Sequence, residues 1–326
     1  MKVAFVGKGG SGKTTLSALF CRYLASLHAP VLAFDADINQ HLGEALGFTE
    51  KEVAQIPALG LEIERIKEYL RGSNPRISSL STMTKTTPPG SGSRLWSIRE
   101  TSPLLSYFGR SIHDVTLLVT GPFSAQDLGL KCYHSKVGAV ELLLNHSSDL
   151  PSEYLIVDMT AGADSFASGL FTKFDLTFLV VEPTKKSLSV YQQYKTYARD
   201  YAIKIAVIGN KVESEEDIAF IQHQIGDDLL ACITRSTYVR ATEKGHMPSF
   251  SSLEPANLET LATMKQAVDQ CKQNWEVFYQ QTVAFHRKNA LSWLNIALGE
   301  DASLQIDPNF SLADSVRAYN NQAILS

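Results

Sequence analysis

Gly7-Lys8-Gly9-Gly10-Ser11-Gly12-Lys13-Thr14-Thr15 sits almost at the start of the chain, and the rest of the pattern is arranged around it. Before it runs Val3-Ala4-Phe5-Val6, a short apolar segment that reads as a buried strand. After it, Leu16-Ser17-Ala18-Leu19-Phe20-Cys21 opens a helical pattern. Strand, glycine-rich turn and helix are the context that gives a phosphate-loop motif its meaning, and Gly7, Gly12, Lys13 and Thr14 fit G-x-x-x-x-G-K-[ST]. Glycines let the backbone fold tightly enough for successive N–H groups to face phosphate oxygens. The helix that follows adds its positive end at the same place. Lys13 would bring a mobile cation to the outer phosphates, and the Thr14 hydroxyl can ligate magnesium. The same residues also spell G-x-G-x-x-G on Gly7, Gly9 and Gly12, with acids downstream at Asp35 and Asp37. That dinucleotide reading leaves Lys13-Thr14 unexplained.

Lys8 narrows the class. The run Lys8-Gly9-Gly10-Ser11-Gly12-Lys13-Thr14-Thr15 resembles the deviant phosphate loop of the MinD/ParA/nitrogenase-iron-protein ATPases. The resemblance implies ATP as ligand, held by Gly9 through Thr15. It also implies a homodimer formed on ATP binding, in which Lys8 reaches the partner's nucleotide.

With 326 residues the chain can build one large or two modest domains. Apolar residues make up 44% and charged residues 20%, an ordinary soluble composition. A net charge of −4 argues against a broad nucleic-acid surface. No apolar run approaches the roughly 18 residues of a membrane span. The chain enters its first strand at once, so no signal peptide is expected. Cys21, Cys132, Cys232 and Cys271 are widely scattered, and a cytoplasmic location with reduced thiols is expected.

Further apolar runs follow at Val31–Phe34, Asp114–Val119, Tyr154–Val157, Leu176–Val181, Ile205–Gly209 and, briefly, Cys232–Ser236. They alternate with helical segments, which predicts an α/β fold with a doubly wound, mostly parallel sheet. From Pro255 the pattern is helical through Phe278 and again from Val283 to Leu298, with a short helix expected from Leu312. The expected division is a nucleotide domain over 1–278 and a helical C-terminal extension over 279–326. The final residues, Asn320 to Ser326, carry no lysine-rich face, which argues against a membrane anchor. Residues 73–103 change character, with Pro88-Pro89-Gly90-Ser91-Gly92-Ser93 at their centre. Such a stretch buries too little apolar surface to order itself, so a flexible surface loop or lid is expected, with Trp96 a local packing residue.

Strand ends carry the chemistry in such sheets. Asp35-Ala36-Asp37-Ile38-Asn39 resembles the switch I segment of these ATPases, which implies that Asp37 places the attacking water and Asp35 supports the magnesium shell. Asp158 ends a buried strand, expected two strands from the loop, in the Walker B position, and would hold magnesium through water. Thr160-Ala161-Gly162 resembles switch II, with Gly162 permitting close approach of the backbone to the outer phosphate. Asn210-Lys211 resembles the base-reading Asn-Lys of the same superfamily, which implies that Asn210 contacts adenine.

Cys132-Tyr133-His134 departs from a plain ATPase. In the nitrogenase iron protein a cysteine at this place and one in switch II bind an iron–sulfur cluster. The segment Asp158 to Asp164 has no cysteine, which argues against that cluster. The surroundings resemble the CooC-type ATPases that assist nickel insertion into carbon monoxide dehydrogenase, whose Cys-x-Cys is here Cys-x-His. Two chains would combine Cys132 and His134 into a Cys₂His₂ set suited to zinc and compatible with nickel. The expected function is therefore a slow, partner-stimulated, magnesium-dependent ATPase that matures a client protein. A positioning or partition ATPase without metal is the alternative.

Overall fold

The computed structural model describes residues 1–99, 102–122, 133–160, 162 and 169–325; the side chains of 133–135 and 322–325 also fall outside the description. Its strands are β1 (Lys2–Gly7), β2 (Val31–Ala36), β3 (Arg110–Ile112), β4 (Val115–Val119), β5 (Tyr154–Met159), β6 (Leu176–Val181), β7 (Ile205–Val212) and β8 (Leu229–Thr234). They form one sheet in the order β3-β4-β2-β5-β1-β6-β7-β8. Every described pairing is parallel except β3 with β4.

The helices are α1 (Lys13–Ser26), α2 (Leu42–Leu46), α3 (Glu50–Ala54), α4 (Ile63–Arg71), α5 (Pro103–Phe108), α6 (Tyr133–Asn145), α7 (Lys185–Asp200), α8 (Glu215–Ile225), α9 (Thr237–Thr242), α10 (Pro255–Asp269), α11 (Trp275–Asn289), α12 (Asn295–Leu298) and α13 (Leu312–Leu325). Two cores flank the sheet. Ala4 and Val6 of β1 face the one that holds α6 and α7 side chains such as Leu143 and Leu188. Val3 and Phe5 face the other, with Leu16 and Leu24 of α1 and Leu261 of α10. Burial of both faces is why the parallel strands read as unbroken apolar runs rather than alternating ones.

The doubly wound sheet is as expected, with two differences of detail. β3 was not anticipated, because Arg110-Ser111-Ile112 is a half-exposed edge strand with no apolar signature. It turns into β4 through His113 and Asp114, both with positive φ, the backbone a two-residue hairpin requires. Asp158 also lies nearer the loop than expected, since β5 pairs directly with β1.

The stretch 73–99 departs from the expected surface loop. It lacks regular helix, yet Ile77, Met83, Leu95 and Trp96 are buried. Its polar groups find partners far along the chain. Thr86 Oγ1 and His286 Nδ1 lie 3.0 Å apart, Thr87 Oγ1 donates to Gln305 Oε1 (2.8 Å), and the Ser91 amide donates to Asp307 (3.1 Å). Trp96 Nε1 donates to the Leu143 carbonyl (2.9 Å). The segment is thus a strap between α6 and the C-terminal helices. α11 continues through position 278, and the helix expected from Leu312 runs on to Leu325.

Candidate functional site

The C-terminal ends of β1, β2 and β5 lie side by side, so residues far apart in sequence meet there. Asp35 and Asp158 are register partners on β2 and β5, and Asp158 is also opposite Phe5 of β1. Beyond β1 the chain turns through Gly10 (φ 86°) and Gly12 (φ 87°), a left-handed conformation that costs glycine little. Gly12 is the N-cap of α1 and offers no side-chain acceptor, so the helix's first amides stay available to an anion. The Ser11 amide closes the turn onto the Lys8 carbonyl (3.0 Å).

Lys13 is buried and its ammonium is ion-paired with Asp37. Burial works against that charge, but the carboxylates of Asp158 and Asp37 outweigh it and hold Lys13 above its ordinary pKa. Thr14 Oγ1 donates to Asp158 Oδ2 (2.6 Å), while Asp158 Oδ1 is buried without a hydrogen-bond partner among the described residues. Burial pushes the Asp158 carboxyl up to about 6, restrained by the Lys13 charge and the Thr14 hydroxyl. Asp35 is fully buried; burial first, then the Asp158 charge, raise its pKa well above the carboxylate range. Its oxygens accept from the amides of Leu42 (2.9 Å) and Asp37 (3.3 Å), which pin the chain leaving β2. Asp37 Oδ1 accepts from the Asn39 amide (3.0 Å). Thr120, which the sequence did not single out, donates its amide (3.0 Å) and hydroxyl (2.5 Å) to the Asp35 carbonyl and fixes that strand end.

Gly162 adopts φ 70°, and its carbonyl accepts from Tyr194 OH (3.2 Å). Its neighbour Ala161 lies outside the described residues. Asn210 is buried beside the loop: Nδ2 donates to the Ser11 carbonyl (2.7 Å) and Oδ1 accepts from the Lys211 amide (2.9 Å). A Cβ on Gly12 would collide with that Asn210 amide. Alongside runs a recess lined by Gly12, Thr15, Leu16, Leu19, Asn210 and Ile233. Lys8 is half-buried on the loop, and no ion pair of its ammonium exists among the described residues. Cys132 and the side chain of His134 lie outside the described residues; the His134 backbone falls in the first turn of α6. Among the described residues no three or more His, Cys, Asp or Glu side chains gather as a metal site.

The CobQ/CobB/MinD/ParA nucleotide binding domain matches residues 3–249. The chain belongs to that family. It is a phosphate-loop ATPase, and the loop, Lys13 and Asp158 described above lie within the matched span. Carbon monoxide dehydrogenase accessory protein CooC of Rhodospirillum rubrum is 29% identical over 258 residues, 78% of this chain and 91% of that protein. An uncharacterised ATP-binding protein of Methanocaldococcus jannaschii is 32% identical over 66% of this chain and 77% of its own length. The Aquifex aeolicus MinC:MinD cell division complex superposes with a TM-score of 0.52 at 19% identity, covering 84% of this chain and 97% of that one. At that identity the likeness is one of fold. No helix among the described residues is long and apolar enough to cross a membrane.

Proposed function

We propose that this ATPase works as a nucleotide-switched dimer that delivers a metal ion or cofactor to a client enzyme in the cytoplasm. Its nucleotide chemistry rests on one observation: Lys13, Thr14, Asp37 and Asp158 converge at the mouth of the glycine-rich turn. Glycine-rich backbone from Gly9 to Thr15 would cradle the triphosphate of ATP. Thr14 and Asp158 fit magnesium, since Asp158 has a buried oxygen with no partner among the described residues and this ion keeps most of its water. Magnesium held there would offset negative charge on the phosphates. Lys13 would exchange Asp37 for phosphate oxygens, which frees the Asp37 carboxylate to orient the attacking water. Asp35, already occupied by two amides, would support that shell by holding the end of β2 in place. Lys8, with no ion pair among the described residues, suits the cross-dimer contact to the partner's nucleotide. Gly162 would report the outer phosphate through its backbone. Asn210 and Lys211 border the recess that would take adenine.

The maturation role is supported by the similarity to CooC over most of both chains and by Cys132-x-His134 at the entry to α6. Two copies would gather two thiolates and two imidazoles around one zinc or nickel ion, which is cargo rather than a resident cofactor. The test uses Asp37→Ala to block hydrolysis. The full chain is purified with ATP, and its mass and its zinc and nickel content are measured. A dimer that retains metal in the presence of ATP, and loses it in Cys132→Ala, is expected. A monomer with ATP bound, or metal retention indifferent to Cys132→Ala, overturns the proposal.

A further inference from the structure

β7, beyond β6 in the sheet, contains an irregularity that no role above uses. Between Gly209 and Val212, β7 carries two residues where β8 carries one, since Gly209 pairs with Cys232 and Val212 with Thr234. The extra residue makes a bulge, and a bulge re-aims side chains. Lys211 within it adopts φ 59°, a left-handed conformation that long side chains avoid. The consequence is directional. Lys211 Nζ donates to the Gly10 carbonyl (2.8 Å) at the tip of the phosphate loop and to Glu182 Oε1 (2.6 Å) at the end of β6. Glu182 is itself tethered, its amide donating to Ser187 Oγ in the first turn of α7 (2.9 Å).

We infer that Glu182 and Lys211 are a positioning pair that braces the phosphate loop from outside, an inference that rests on the loop binding ATP. The Gly10–Ser11 peptide is held at both ends, its carbonyl by Lys211 and its N–H by the Lys8 carbonyl. The next peptide has its carbonyl held by Asn210. A trans peptide points its C=O and N–H in opposite directions, so pulling the Ser11 carbonyl outward turns the Gly12 N–H toward the phosphates. Glu182 serves to keep Lys211 on the carbonyl rather than in solvent or on the incoming anion. The pair's own Coulomb energy is weakened by water, because 45% of the Lys211 side chain is exposed. Its effect is therefore expected in nucleotide affinity rather than in stability.

The test measures ATP affinity by calorimetry, steady-state hydrolysis and thermal midpoint for Lys211→Met, Glu182→Gln, Lys211→Arg and the double variant. Lys211→Met should weaken ATP binding about tenfold, the order of one charge-assisted hydrogen bond. The loss should appear in KM rather than kcat, with the thermal midpoint little moved. Glu182→Gln should lose about threefold. The double variant should be no weaker than Lys211→Met alone, and Lys211→Arg should recover most of the affinity. Hydrogen exchange at Gly10–Gly12 in the nucleotide-free protein should rise with Lys211→Met. Unchanged ATP affinity in Lys211→Met overturns the inference, as does a loss that only follows the thermal midpoint. Lys13→Ala serves as the control. If it also binds ATP normally, the phosphate-loop reading fails; if it alone loses ATP, the brace fails.

Discussion

The phosphate loop and the strap at 73–99 are both rich in glycine and hydroxyl side chains, yet they are built by opposite means. The loop is framed by its neighbours in sequence: a buried strand precedes it, a helix follows, and its glycines supply the positive φ values of the turn. The strap has no such frame. It is ordered by Thr86, Thr87 and Ser91 bonding to His286, Gln305 and Asp307, each some two hundred positions away, and by Trp96 sunk against α6. One region presents polar groups for a ligand to use. The other spends similar polar groups on holding the chain to itself. Glycine- and serine-rich composition therefore does not separate a binding loop from a structural strap; what separates them is whether distant side chains have already claimed the hydrogen bonds.

Four substitutions sharpen that contrast. Lys13→Ala should cut ATP hydrolysis by about 10³-fold, if Lys13 is the cation that meets the phosphates as proposed, and should leave the fold intact. Undiminished turnover would remove the loop from the chemistry. Trp96→Ala should do the reverse. It opens a cavity under the strap and costs about 4 kcal/mol in denaturant unfolding, with ATP affinity retained in the folded fraction. If ATP binding fell while stability held, the strap would belong to the site after all.

Acid should also strike the strap side first. His146 receives the Trp96 amide on its carbonyl, and its ring is buried, with Nδ1 and the Leu142 carbonyl 3.0 Å apart. Burial pulls its pKa down to about 4. The unfolded chain takes up a proton below about 6.5, whereas the folded chain resists until about 4. Stability is therefore lost as pH falls across that window, by about 3 kcal/mol in total. His146→Gln should flatten this part of the pH–stability curve, and an unchanged slope would assign the acid sensitivity elsewhere. The smallest effect is expected from Thr86→Val, about 1 kcal/mol, for loss of the hydroxyl that meets His286 Nδ1 and Thr84 Oγ1. Trp96→Ala and Lys13→Ala together should add, because the two sites share no partner.

The phosphate loop, the alternation of buried strands and helices, and the acids at the ends of β2 and β5 were legible along the chain. Each follows from a local rule: backbone freedom at glycine, the period of apolar residues, the place of a carboxylate after a buried run. The folded chain was needed to see that β5 lies directly beside β1, that Arg110–Ile112 is an edge strand, and that the 73–99 stretch sinks Ile77, Met83, Leu95 and Trp96. It also decided that Asn210 and Lys211 bond the loop's carbonyls, with Glu182 on Lys211. The strap and the contacts on the loop depend on hydrogen bonds between residues about two hundred or more positions apart. Such bonds leave no periodic trace along the chain, because the partner of a polar group is chosen by where the backbone carries it and not by what stands next to it.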